Sequence, residues 1–355
     1  MKKSTWLMRC VLMTGYLLVT NVLVLIGLMR SFSLAHPLRF IAVYIGTIAL
    51  IIVCFRRIRS AAPYYIKCIG AYGMGLYITL TMAAVVCIFL PIPGWAAVLL
   101  VLTPALYGFV HARKITVKRY RVPLLKKNFR LLLISDVHLG SVGSEERLPQ
   151  LIGQINLEKP DLVCIAGDLI DNSFPAVRDP ENAAKLFQKI ESRCGIYACL
   201  GNHDAGKSAA EMQDFMKKAG ITVLQEEYAI LQDVLLLGRL DSKPHGNYVN
   251  SVRRNTEIVL SANPRRDLPL IVIDHNPSVI RQYDGRTSLL LCGHTHNGQI
   301  FPGNIVIKAI NTCGYGYYRK DSQSPHVVVS SGAGTWGPPM RIGTDCEIAV
   351  IELGP

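Results

Sequence analysis

The chain opens with four long apolar runs and then changes to short ones. The long runs cover approximately residues 10–29, 38–55, 69–90 and 92–110, each near the roughly 20 residues a helix needs to cross bilayer hydrocarbon. Between the third and fourth stands only Pro91-Ile92-Pro93-Gly94, the composition of a tight turn. From residue 130 the apolar runs shrink to strand length. Runs at 131–134, 162–166 and 196–200 read as buried strands, and 145–157 and 180–190 as helices with Glu in the first turn, where the helix dipole favours it. Further strands are predicted at 234–237, 270–273, 289–292, 305–307, 327–329 and 348–351. This alternation predicts an α/β domain behind an all-α membrane region of about four helices.

Charge divides the chain at the same place. Of its 355 residues 50% are hydrophobic, and its formal net charge is +13. Residues 1–127 hold 16 Lys and Arg and no Asp or Glu, so the remainder is slightly acidic. Basic residues lodged between apolar runs are explained by membrane topology and give no reason to expect nucleic acid. Lys2, Lys3 and Arg9 precede the first run, Arg56, Arg57, Arg59 and Lys67 follow the second, and seven more lie between Arg113 and Lys127. The alternate loops carry Arg30 and Arg39 or nothing, so the positive-inside rule places both ends and the large domain in the cytoplasm of a multi-pass inner-membrane protein. A cleaved signal peptide is the other reading of the first run, with Ser33-Leu34-Ala35 as its cleavage site. Ten cysteines without a C-x-x-C pair fit a reducing compartment.

The expected organisation is therefore 1–110 membrane helices, 111–127 basic juxtamembrane linker and 128–355 catalytic domain. Basic residues in the linker would add about 1 kcal/mol each to attraction for anionic headgroups. Ile115 and Val117 alternate with polar residues, so part of the segment alternatively reads as an edge strand.

Metal-ligand residue types recur just after the predicted strands: Asp136-Val137-His138, Gly167-Asp168-Leu169-Ile170-Asp171, Gly201-Asn202-His203-Asp204, Asp274-His275-Asn276-Pro277 and Gly293-His294-Thr295-His296. Ligands gather at the carboxyl ends of strands in α/β folds, so five such turns can converge on one point. If the segments are extended, Asp136 and His138 project to one side, as do His294 and His296. Nitrogen and oxygen donors without thiolate suit divalent Mn, Fe or Zn rather than Ca.

The ordered set D-x-H, G-D-x-x-D, G-N-H-D, H-x-P and G-H-T-H resembles the calcineurin-like metallophosphoesterase superfamily over roughly residues 128–353. The resemblance implies a four-layer αββα sandwich and two divalent metal ions. Asp136, His138 and His296 would hold the first ion, and Asn202, His275 and His294 the second, with Asp168 bridging. His203 would be the general acid, Asp171 the carboxylate that orients it, and Asp204 a supporting residue. Asp274 stands where a small residue is commoner and either orients His275 or caps the turn; Asn297 stands where glycine is frequent. The ending Ser331-Gly332-Ala333-Gly334-Thr335-Trp336-Gly337-Pro338-Pro339, with Arg341, looks like the membrane-associated bacterial branch that includes YkuE-type proteins and enzymes cleaving UDP-2,3-diacylglucosamine. Arg341 is either a phosphate ligand or a salt-bridge partner, and Trp336 and Met340 would line an apolar rim.

These features together predict a membrane-bound hydrolase acting on a phosphoester or pyrophosphate bond in a lipid-linked precursor. A broad phosphodiesterase or phosphatase is the alternative among enzymes. A non-catalytic metal-binding signalling module is the alternative from another class, opposed by the complete donor set and the retained His203.

Overall fold

A computed structural model describes residues 20–22, 24–30, 37–57, 62–249, 251–261 and 265–355. The chain divides into two compact units with the main break between Phe109 and Val110. In the first, α1 (Pro37–Phe55), α2 (Tyr64–Phe89) and α3 (Gly94–His111) are long and apolar enough to cross a membrane. Three such helices are thus found among the described residues, against the four expected. The region of the first predicted span that is described, 20–22 and 24–30, is helical, and 10–19 lies outside the described residues. Helix α2 starts five residues before the predicted run, which brings the buried Lys67 into its first turns. Gly70 lets α2 meet α1 closely: a Cβ there would stand 2.6 Å from Phe55 Cα. Small residues serve this purpose wherever apolar solvent gives helices no hydrophobic reason to associate.

The second unit is built on two six-stranded sheets. The first has the order β1 (Ile115–Arg121), β12 (Cys346–Glu352), β2 (Arg130–Ile134), β3 (Leu162–Ala166), β4 (Ile196–Cys199), β5 (Ile221–Val223). The second has the order β10 (Gly316–Tyr318), β11 (His326–Val329), β9 (Thr287–Cys292), β8 (Leu270–Ile273), β7 (Leu235–Gly238), β6 (Glu227–Ile230). Strands β2 to β5 run parallel, as do β7, β8, β9 and β11. Because side chains alternate across a strand, Leu131, Leu133, Leu162 and Cys164 enter one core with Leu236, Ile271, Ile273 and Leu289. Their neighbours Leu132, Ile134, Val163 and Ile165 face outward onto α4 (Ser144–Leu157), α5 (Pro180–Phe187) and α6 (Ala209–Lys218). Buried on both faces, these strands read as continuous apolar runs, which is why their positions are legible in the sequence.

On the outer face of the second sheet, helical cover is thin. Among the described residues, only α7 (Thr256–Leu260) and a 3-10 turn over Pro277–Gln282 contribute helical side chains to the core there.

Two expectations need correction. The run at 305–307 is not a strand: it lies in α8 (Gly303–Ile310), since a short apolar run has no periodicity that separates strand from helix. The domain also starts earlier than residue 128. Strand β1 pairs with β12 along all seven of its residues, Ile115 packs into the core, and Arg119 meets Glu158 at 2.8 Å. The alternation of Ile115 and Val117 with polar residues was the informative signal; the basic Lys118, Arg119 and Arg121 follow on the same edge strand.

Candidate metal centre

Five turns carry the donors, each just beyond the carboxyl end of a parallel strand: β2, β3 and β4 in one sheet, β8 and β9 in the other. The backbone does not bring Asp136 and His138 together as an extended segment would. Both have left-handed backbones, φ 51° each, as do Asp168 (52°), His294 (74°) and His296 (49°). Side chains pay for that region in local strain, so the ligand pairs converge by sharp turns rather than by alternation. Backbone bonds lock the turns to one another: Asp136 N donates to Gly167 O (3.1 Å) and His138 N to Asp168 O (3.1 Å). Gly167, at φ 75°, leaves room where a Cβ would stand 2.7 Å from both Gly201 and the His275 ring.

The predicted donors gather in two groups around Asp168. In the first, His138 Nε2 and His296 Nε2 face each other at 3.1 Å, with Asp136 Oδ1 3.5 Å from His296 Nε2 and Asp168 Oδ2 3.9 Å from His138 Nε2. In the second, His275 Nε2 lies 3.1 Å from Asp168 Oδ2, 3.1 Å from Asn202 Oδ1 and 3.2 Å from His294 Nδ1, which is 2.9 Å from Asn202 Oδ1. Asp136, His138 and His275 are fully buried. Imidazole lone pairs and carboxylate oxygens pressed together away from water are costly unless positive charge stands among them. The set therefore fits divalent cations that accept nitrogen and oxygen, and Mn, Fe and Zn all qualify.

Protonation follows the same crowding. Burial would raise the Asp168 carboxyl, but the His275 and His203 imidazoles hold it well below the usual carboxylate range. Burial, with His275 alongside, pushes His294 down to about 4. His296 is likewise driven well down by burial and by His138. Neutral imidazole is the form that ligates metal, and His294 and His296 are driven towards it; burial would lower His275 and His138 too, but the carboxylate of Asp168 raises His275 well above its ordinary value and that of Asp171 raises His138.

A second layer holds the donors in place. His275 Nδ1 donates to Ala166 O at 2.7 Å, so a backbone carbonyl orients that ring. Asp274 does not; its carboxylate turns the other way to Arg253 (2.7 Å) and the Tyr283 hydroxyl (2.6 Å). Asp204 accepts from Ile170 N (3.1 Å) and Gly201 N (2.9 Å), tying two ligand turns together, and burial beside Asp168 pushes its carboxyl up to about 7. His203 Nδ1 lies 2.9 Å from Asp171 Oδ1, the geometry expected of an imidazole held by a carboxylate.

Two neighbours were not singled out in the sequence. The His245 ring lies against that of His203, tilted by 59° with ring centroids 4.5 Å apart. Its Nε2 accepts from Asn202 Nδ2 (3.1 Å), which leaves Asn202 Oδ1 turned towards His275 and His294. Asn172 bridges the pair, its Oδ1 accepting from His245 Nδ1 at 3.1 Å and its Nδ2 beside His203. Asn172 adjoins the G-D-x-x-D turn and was findable there; His245 stands outside every motif, on the 241–249 loop.

Arg341 is not a substrate contact in this arrangement. It is fully buried, and its guanidinium donates to the carbonyls of His296 (2.8 Å), Ser331 (2.7 Å) and Gly334 (2.7 Å). Met340 is fully buried too, so of the expected apolar rim only Trp336 is exposed. Replacing Arg341 with Met strands three carbonyls at roughly 1–3 kcal/mol each, though the costs are not additive. The expected result is a thermal midpoint lower by several degrees with an unchanged KM for a small soluble phosphodiester. A raised KM at an unchanged midpoint would restore the substrate role.

Comparison with known proteins agrees with this geometry. Residues 129–298 match the calcineurin-like phosphoesterase family. An uncharacterised metallophosphoesterase of Campylobacter jejuni is 33% identical over 236 residues, covering 65% of this chain and 61% of that protein. The metallophosphoesterase YkuE of Bacillus subtilis, also uncharacterised, is 29% identical over 249 residues, covering 67% and 83%. A transmembrane protein with metallophosphoesterase domain from Danio rerio is 29% identical over 266 residues, covering 70% and 60%. The chain thus spans about three fifths of the length of the first of these relatives (61%). Family match and donor geometry coincide on the same turns, and residues 129–298 are similar to the calcineurin-like phosphoesterases.

Proposed function

We propose that this protein hydrolyses a phosphoester or pyrophosphate bond through a dinuclear metal site, in a lipid-linked phosphate at the cytoplasmic face of the cell membrane. The observation that carries the reaction class is Asp168, whose carboxylate stands between two groups of buried nitrogen and oxygen donors. Two divalent cations held there would lower the pKa of a water towards neutrality and offset charge on the phosphoryl oxygens. Asp136, His138 and His296 would hold one, and Asn202, His275 and His294 the other. The remaining work falls to the chain's own groups. Asp171 fixes the His203 ring through Nδ1, which leaves Nε2 to give its proton to the departing oxygen. His245 fixes the Asn202 amide so that its oxygen, not its nitrogen, faces the donors.

The lipid part of the reading is supported by the three apolar helices and by the exposed indole of Trp336. The cytoplasmic placement is supported by the distribution of Lys and Arg. UDP-2,3-diacylglucosamine is the best single substrate. The test is metal-dependent release of UMP from it by the full-length protein in lipid, beside the delipidated pyrophosphate and a soluble aryl phosphodiester. Preference for the lipidated compound is expected. Equal rates on the two pyrophosphates would remove the lipid part, and no metal-dependent cleavage of any of the three would remove the reaction class.

A further inference from the structure

Helix α8 is inside out. None of its eight residues is buried, and Ile305 (57% exposed), Val306 (52%) and Ile310 (71%) face solvent. With Ala309 they span an arc of about 140° at 3.6 residues per turn, while Asn304 and Lys308 occupy the other side. A helix on the surface of a soluble domain turns such a stripe towards the core. Here Ile307 takes the inward position, packed on Gly314.

The stripe continues into other exposed apolar groups and into the site. Phe301, at 45% exposure, precedes the helix, and its N–H donates to Ile342 O at 2.9 Å. Gln299, two residues before Phe301, clasps the backbone of Trp336 from both sides, at 2.9 Å to its carbonyl and 2.8 Å from its N–H, and the Trp336 indole is half-exposed. His296 of the donor set is three residues from Gln299. Charge adds a direction. Between Gly285 and Thr344 the one acidic side chain is Asp321, and it is engaged in its own turn with Gln323 N and Ser324 Oγ. Lys308, Arg319 and Lys320 lie in the same stretch. An apolar stripe on a helix whose other side carries Lys308, in a stretch with a single acidic residue, has the chemistry of a helix lying in an anionic bilayer surface.

The chain supplies that partner itself, since it leaves the apolar helix α3 at His111 and enters β1 at Ile115. A tether so short holds the domain at high effective concentration beside the bilayer. We propose that the exposed stripe of α8, with Phe301 and Trp336, docks into the headgroup boundary of an anionic bilayer and sets the metal centre's mouth against the lipid. This surface goes beyond the proposed reaction, and its failure would leave that reaction untouched.

The experiment uses the full-length protein with Trp6→Phe and Trp95→Phe, leaving Trp336 as the only indole, in single-copy nanodiscs containing phosphatidylglycerol. Brominated acyl chains are expected to quench Trp336 emission at least twofold. The further double substitution Ile305→Glu/Ile310→Glu should abolish the quenching and leave hydrolysis of a soluble aryl phosphodiester unchanged. Emission insensitive to bromine would overturn the proposal. So would dimers in light scattering that the double substitution dissolves, which would assign the stripe to a second copy; loss of soluble hydrolysis in the parent protein would count only against the reaction.

Discussion

Asp168→Ala is expected to abolish hydrolysis and to empty the centre of metal together. Its carboxylate stands between the two donor sets, with Oδ2 3.1 Å from His275 Nε2 and 3.9 Å from His138 Nε2. Its Oδ1 also accepts the His203 backbone N–H at 2.8 Å, so the substitution loosens His203, the proposed general acid, as well. The loss should exceed the roughly 10²–10³-fold that follows removal of one stabilising donor from an enzyme site. Elemental analysis of the purified variant, read beside turnover of an aryl phosphodiester, is the measurement. Asp168→Asn separates charge from position, because an amide oxygen can still accept from His203 N. It should keep the fold and still lose metal. Wild-type metal content with activity within tenfold would remove Asp168 from the bridging position.

His203→Ala should have the opposite signature: metal retained, chemistry lost. General acid catalysis contributes typically about 10²–10⁴-fold, and it matters most when the leaving oxygen is strongly basic. The variant is therefore expected to lose about that factor on an alkyl ester and far less on 4-nitrophenyl phosphodiesters, whose leaving group departs without a proton. Asp171→Asn should show a weaker form of the same pattern, since the ring remains but its Nδ1 partner loses charge. Uniform loss on both leaving groups would mean that His203 acts through the metal or the fold, and the assignment would fall.

The donors were legible in the sequence for a reason that can be stated. Each follows a strand buried on both faces, and such strands are continuous apolar runs that mark where the next turn begins. Asp136, Asp168, Asn202, His275 and His294 each stand two or three residues past such a run, so order alone brought them together. Less legible were features that depend on three-dimensional neighbours. Arg341 reads as a phosphate ligand or a salt-bridge partner, and only the packed loop from Ser331 to Gly334 reveals that a terminal nitrogen donates to carbonyls. Asp274 sits next to a ligand in sequence but points to Arg253, because consecutive side chains on a strand end face opposite ways. The short strands β5, β6 and β10 went unpredicted, for three or four residues carry too little alternation to register.

The pairing of β1 with β12 fixes an order of events during synthesis. Strand β12 lies between β1 and β2 in the first sheet, although it is encoded more than two hundred residues after them. Until the ribosome has delivered residues 346–352, β1 and β2 have an unfilled place between them, and their apolar faces wait beside a membrane. Contacts this distant in the chain are slow to form, and unpaired strands exposed meanwhile invite association with other chains. A nascent chain stalled just short of Cys346 would thus hold the turns of the candidate metal centre and yet lack the strand that closes the sheet behind them.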